Sequence, residues 1–359
     1  MSADAPAAAA AARVRVTWVD LLKAVAILLV VVQHFNDLTV MRDWEWQPLD
    51  VGSSAMRTIR MPAFVFASGL FFGGNFRRPI GFVVVRKVLP MLWLYVVWSV
   101  LYVGFRVTVG KAVGDADAPE LSQVLHIFEH PQTYLWYVYA LALYFLVAWV
   151  SSKAPAWVGW LVACAISLPF LANLVTTGMW GWDRILSFYA FFWAATQLMP
   201  WLRGLPAPGS GTLWSVAGAG VVWAGVTAVE IKVAHSVNTV VFPLVAAVAV
   251  FGCVQAARCL DTCTGRWVDA LRWVGQNTLP VYVLHMFVLE LLGPLLPHLP
   301  RSPAVVVALL LVSVIGAVGA SFLLWVPLRR VPGLFQAPWL PAREPVPFPS
   351  AAAKGDGSR

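Results

Sequence analysis

Ten stretches of about twenty apolar residues, separated by short polar connections, constrain this 359-residue chain more than any other feature. A helix that crosses a bilayer needs about 20 apolar residues, and a helix satisfies its own backbone in lipid. The stretches fall at roughly 16–38, 52–73, 80–107, 133–152, 155–174, 183–202, 210–231, 236–257, 277–296 and 303–327. Only 12% of the residues are charged, against about 25% in a soluble domain. The expectation is an all-α, polytopic integral membrane protein of about ten transmembrane helices.

Lysine and arginine set its orientation. With the N-terminus inside, sixteen of the 25 basic residues fall on cytoplasmic segments and eight on the outer half, with Lys23 left in the first helix. Basic residues accumulate on cytoplasmic loops, so both termini are expected to be cytoplasmic, in the plasma (inner) membrane. The formal charge of +8 then reports topology and the bilayer as partner; nucleic acid is not one. Residues 1–15 read as a disordered Ala-rich cytoplasmic N-terminus. They are not a signal peptide, because the apolar run after them is long. Residues 16–330 read as one membrane domain, and 331–359 as a Pro/Ala-rich cytoplasmic tail without a packed core.

Several chemistries find no support. There is no P-loop and no dinucleotide fingerprint. The four cysteines show no disulfide framework, and Cys259-x3-Cys263 lacks further ligands. His126-Ile-Phe-Glu129-His130 matches an inverted zinc-protease motif. It sits in a short acidic connection (Asp115, Asp117, Glu120, Glu129) with no domain to hold a peptide. No metal and no bound cofactor are expected.

The first apolar run is the exception to its own composition. Asp20, Lys23, His34 and Asp37 all lie in or beside it. Ionisable groups at bilayer depth cost roughly 2.5–3.5 kcal/mol each even on the lenient insertion scale, and they mark function by default. Lys23 and His34 are eleven residues apart, which places them on one helix face, roughly 16 Å apart along the axis. Asp37, one turn after His34, is placed to orient the imidazole. Asp20 is placed to pair with Lys23 at i,i+3.

Other polar residues have two readings each. Arg57 and Arg60 open the second run as interfacial anchors or as contacts for the oxygens of an acceptor. Ser68 fits close helix packing better than nucleophilic catalysis. Arg77, Arg78, Arg86 and Lys87 form the densest basic cluster. It follows from the positive-inside rule, or it docks a phosphate-bearing donor, for which the arginine fork is suited. Trp136 and Tyr137 fit an aromatic belt or stacking on a sugar ring. Asn277 can cap the ninth span. His285 lies about 12 Å into it by helix rise, and Glu290 follows. Glu230 and His235 fall near an outer membrane edge, where solvation accounts for them.

These segments resemble the bacterial membrane acyltransferase family 3. Lys23-x10-His34 is similar to that family's first-helix pattern of Arg or Lys, ten residues, then His. Met61-Pro62 leading to Ser68-Gly69 resembles its second helix, and Arg86-Lys87 before Leu89-Pro90 resembles the opening of its third. Leu135-Trp136-Tyr137 with Ala140-Leu141, and Gly275-x-Asn277-Thr278-Leu279-x-x-Tyr282-x-x-His285, resemble later motifs. Arg184 to Thr196 matches only in part, without the expected Pro and Gly.

The resemblance implies an O-acyltransferase that takes an acyl group, acetyl above all, from cytoplasmic acyl-CoA as co-substrate. The acceptor it implies is a hydroxyl of a glycan or related extracytoplasmic molecule. The matching mechanism makes His34 the general base, since an imidazole titrates near neutrality, with Asp37 beside it. Lys23, Arg77, Arg78, Arg86 and Lys87 would hold the donor. Arg60, Trp136, Tyr137, Asn277, His285 and Glu290 would face the acceptor. The alternative is a proton-coupled small-solute transporter with Lys23, His34 and Glu290 as relay, although paired interrupted helices, the usual pointer to one, are absent.

Overall fold

The computed structural model describes residues 16–113, 119–131, 134–234 and 240–341, and among them every regular element is helical. The readings of residues 1–15, Asp115, Asp117, His235 and 342–359 lie outside the described residues. In chain order the helices are α1 (Trp18–Met41), α2 (Gln47–Ala55), α3 (Arg57–Gly69), α4 (Ile80–Val83), α5 (Leu89–Val113), α6 (Trp136–Ser151) and α7 (Ala156–Leu171). They continue with α8 (Trp180–Gly204), α9 (Ser210–Val229), α10 (Phe242–Asp261), α11 (Arg266–Gln276), α12 (Thr278–Glu290) and α13 (Pro303–Leu328).

Among the described residues, six helical segments are long and apolar enough to cross a membrane: α1, the continuous Ile80–Lys111, α8, Ser210–Val233, α10 and α13. Helices α6, α7 and α12 are apolar but shorter. The expected second span is not one helix, because it divides at Met56 into α2 and α3. Gly52, Ser53 and Ser54 end α2, and these residues favour breaks over helix interiors.

Helix α1 is the centre. It packs against α2, α3, α10, α11, α12 and α13. About 61% of its apolar window is buried, against 11% for α9, so α1 is enclosed and α9 presents its side chains outward. Two glycines permit close crossings. A Cβ on Gly275 of α11 would overlap the Asp20 carbonyl of α1, and one on Gly69 of α3 would overlap the Phe192 carbonyl of α8. The N-terminal end of α1 is tied down by hydrogen bonds. Thr17 donates to Asp261 at 2.6 Å, and Arg272 pairs with Asp261 at 3.0 Å and with Asp269 at 3.0 Å.

Pro90 shapes the third apolar stretch. Proline has no N–H to give to the preceding turn, and a π turn at Val84–Val88 joins α4 to α5 there. The Val85 carbonyl, five residues before Pro90, instead accepts from the Trp339 indole at 3.3 Å. The surrounding tail is held the same way. Trp93 donates to the Gly333 carbonyl at 2.8 Å and Trp98 to the Leu334 carbonyl at 2.6 Å. Ala337 is fully covered. Residues 333–339 therefore pack on α5, contrary to the expectation of a tail without a core. The indole donors of α5 take up the Gly333 and Leu334 carbonyls of this turn-rich segment.

Two further readings are corrected. Asn277 precedes α12 but makes no cap bond to it; its side-chain amide donates back to the Trp273 carbonyl of α11 at 2.9 Å. Glu230, read as solvated at a membrane edge, is buried.

Candidate functional site

Two cavities lie at opposite ends of α1. The larger, about 1310 Å³, is lined by Thr17 and Trp18 of α1, Phe71 and Phe76, Gln197 and Arg203 of α8, and Arg258 and Asp261 of α10. The smaller, about 240 Å³, begins at Val30 and takes Gln33, His34 and Asp37 of α1, Arg57 and Arg60 of α3, Trp136 of α6, and Trp180 and Arg184 of α8. Trp18 and Val30 are ~18 Å apart along the helix. Helices α3 and α8 run opposite to α1: each gives its N-terminal residues to the smaller cavity, while the C-terminal residues of α8 and those just after α3, Leu70 and Phe71, line the larger one.

The smaller cavity is built on the second half of α1. Helical spacing brings His34 Nδ1 to 3.3 Å from Asp37 Oδ2. Gln33, one turn before Asp37, donates to its other oxygen, and Ser53 donates to Gln33 at 2.5 Å. A carboxylate only accepts, so Asp37 beside Nδ1 favours the His34 tautomer with its proton on that nitrogen. Its Nε2 is left with the lone pair that a general base requires.

Three guanidinium groups share this cavity. Arg60 is buried, and one of its donors meets the Ser53 carbonyl at 2.7 Å. Arg184 lies over the Trp180 ring at 5.5 Å, a cation–π contact. The loop before α8 is fixed by Asp183, which accepts from Thr176 at 2.6 Å and from the Thr177 backbone at 2.7 Å. That places Trp180 and Arg184 on the first turns of the helix. Trp136 meets Trp180 edge-on at 6.3 Å.

His285 stands behind His34, with ring centroids 5.2 Å apart. It is fully buried, its Nδ1 lies 2.8 Å from the Val281 carbonyl, and its Nε2 has no hydrogen-bond partner in the protein. Tyr134 lies edge-on to both rings, at 6.2 and 5.4 Å, and its hydroxyl is fixed on the Val283 carbonyl at 2.7 Å.

Of the residues singled out from sequence, His34, Asp37, Arg60 and Trp136 meet at this cavity, with His285 against His34. Tyr137 is adjacent but buried, bonded to Ser68 at 2.5 Å and stacked on Phe64. Ser68 also donates to the Phe64 carbonyl, so its hydroxyl is spent on packing. Glu290 lies apart, paired with Arg106 at 3.1 Å and bonded by Tyr102 at 3.1 Å. Asn277 sits at the α11–α12 junction. Lys23 lines neither cavity. Arg77 and Arg78 are exposed just after Phe76, while Arg86 and Lys87 lie on the π turn. The larger cavity draws its positive charge from Arg203 and Arg258 instead. Arg258 is held by Gln255 at 2.7 Å and the Pro206 carbonyl at 2.5 Å.

Gln33, Trp180 and Arg184 were not singled out from sequence as site residues, nor were Arg203 and Arg258. Gln33 adjoins His34, and Arg184 opens the segment whose resemblance was partial. The His126 motif is solvent-exposed: His126 and Glu129 pair at 3.0 Å. That bond holds the Glu129 carboxyl below the ordinary carboxylate range.

Residues 16–326 match a family model described as an acyltransferase domain. No curated protein and no solved structure matches the chain.

Proposed function

Because that match spans most of its length, the chain belongs to the membrane acyltransferase family 3, a multi-pass membrane acyltransferase, and from that premise we propose an O-acetyl transfer directed across the bilayer. In this reading acetyl-CoA enters from the cytoplasm and the acceptor is a hydroxyl of a glycan or related extracytoplasmic molecule. The topology that goes with it has ten spans with both termini cytoplasmic, in the plasma membrane.

The observation that carries the reading is the His34–Asp37 pair at 3.3 Å inside a cavity that also holds three arginines. His34 Nε2 takes the proton of the acceptor hydroxyl as its oxygen attacks the thioester carbon. The C–O bond forms, the C–S bond breaks, and the proton goes on to the departing thiolate. A guanidinium facing the carbonyl stabilises the oxyanion that develops. The larger cavity, with Arg203 and Arg258, is the vestibule for the donor's phosphates. Arg77 and Arg78, next to its wall at Phe76, widen that basic surface. The opposite directions of α3 and α8 relative to α1 suit a donor and an acceptor that arrive from opposite faces.

A relay transporter is less well supported. Glu290 is engaged by Arg106 and Tyr102 away from the His34 cavity.

The test is purified protein in lipid nanodiscs with labelled acetyl-CoA and cell-envelope extract, followed by identification of the labelled product. Label in a glycan ester, absent with His34→Ala, is the expected result. Proton-coupled solute flux without acyl transfer would install the transporter in its place.

A further inference from the structure

Resting on the acyltransferase reading above, we propose that the acceptor is anionic, carrying a carboxylate or a phosphate close to the hydroxyl that is acylated. The smaller cavity carries more positive charge than the transfer of one acyl group to a neutral sugar requires. Arg57, Arg60 and Arg184 all line it, and Asp37 is the single carboxylate in its lining. None of the three arginines is ion-paired within 4 Å to a carboxylate among the described residues. The carboxylates nearest in sequence, Asp50 and Asp183, lie outside the lining. Asp50 is bonded by Asn36 at 3.1 Å, and Asp183 by Thr176 and Thr177.

The chemistry uses only part of this charge. Acyl transfer develops one negative charge, on the thioester carbonyl oxygen, and His34 becomes positive as it takes the hydroxyl proton. Those two changes cancel. Asp37 offsets one guanidinium, and Asp50 and Asp183 act on Arg57 and Arg184 only from outside the lining, so the cavity wall itself keeps more positive than negative charge. Arginine presents a planar fork that matches a carboxylate or a phosphate. Trp136 and Trp180, edge to face beside Arg184, supply the apolar wall on which a sugar ring stacks. The volume, about 240 Å³, admits one glycosyl unit with its charged group and no long polymer segment.

The test measures transfer of labelled acetyl from acetyl-CoA to the acceptors of a cell-envelope extract. Methyl glucoside, methyl glucuronide and methyl glucoside phosphorylated on its primary hydroxyl serve as competitors. The anionic probes should inhibit at concentrations roughly ten- to a hundredfold below the neutral one, the range set by charged hydrogen bonds. Arg57→Gln combined with Arg184→Gln should remove that difference, and lysine at both positions, which keeps the charge without the planar fork, should keep only part of it. Preference for both anionic probes assigns any compact anion; preference for one alone assigns its group. Equal inhibition by all three, with His34-dependent transfer intact, overturns the anionic acceptor and leaves the acyltransferase reading standing. So does competition of the anionic probes with acetyl-CoA alone, which would give the arginines to the donor. Absence of any His34-dependent transfer removes the acyltransferase reading, and this proposal with it.

Discussion

The imidazole rings of His34 and His285 lie 5.2 Å apart, with Tyr134 edge-on to both. The first ring lines a cavity, and the second is fully buried behind it. His285 touches no open space, so under the proposed mechanism its part is to position His34. His285→Asn can keep a donor for the Val281 carbonyl and should hold the fold. His285→Ala should lower stability by roughly 2–5 kcal/mol, the range for emptying a core site, read as thermal unfolding in detergent. Both should lower kcat at unchanged donor KM. Full kcat in His285→Asn would reduce His285 to a space filler.

Trp339 and Pro90 should be energetically coupled through the Val85 carbonyl. Trp339→Phe removes the indole donor and should cost about 1 kcal/mol. Pro90→Ala returns a backbone N–H to that turn, so Trp339→Phe should cost less in its background. A double-mutant cycle measures the difference. Strictly additive effects would show that the tail merely rests on α5.

The topology predicts a cytoplasmic reporter after Arg359 and an external tag placed within 112–118. Finding both on one side of the membrane would reject the ten-span arrangement, which puts seven spans between them.

Much of this architecture was legible from hydropathy alone, because lipid forces the backbone into helices wherever the chain is apolar for long enough. Each of the ten apolar stretches holds helix among its described residues, and six of them give helices long and apolar enough to span. The break at Met56 was written in Gly52-Ser53-Ser54, but an apolar average over the window smooths it away. Asp37 beside His34 follows from helical spacing within one segment. The convergence of Arg57, Arg60 and Arg184 does not, since it depends on how α3 and α8 pack around α1. All three were counted as outer basic residues in the topology, where they blurred the charge asymmetry they had no part in setting. The docking of Trp339 on Val85 was equally invisible: a Pro/Ala-rich composition hides how few indole donors suffice to hold a tail.

Lys23 and His34 should fail differently if one end of α1 serves the donor and the other the chemistry. Although Lys23 lines neither cavity, the donor role implied by the resemblance of Lys23-x10-His34 to the family's first helix predicts that Lys23→Ala raises the donor KM, by the roughly 1.5–3 kcal/mol of a lost charged hydrogen bond, while Lys23→Arg keeps much of the activity. Lys23→Ala with an unchanged donor KM and a collapsed kcat would move Lys23 into the chemical step.

The most direct measurement is kcat of His34→Ala at saturating acetyl-CoA, with donor binding measured on the same preparation. The base assignment predicts a fall of about 10²–10⁴ with the donor still bound. Turnover retained at saturating donor, with donor binding lost, would contradict it.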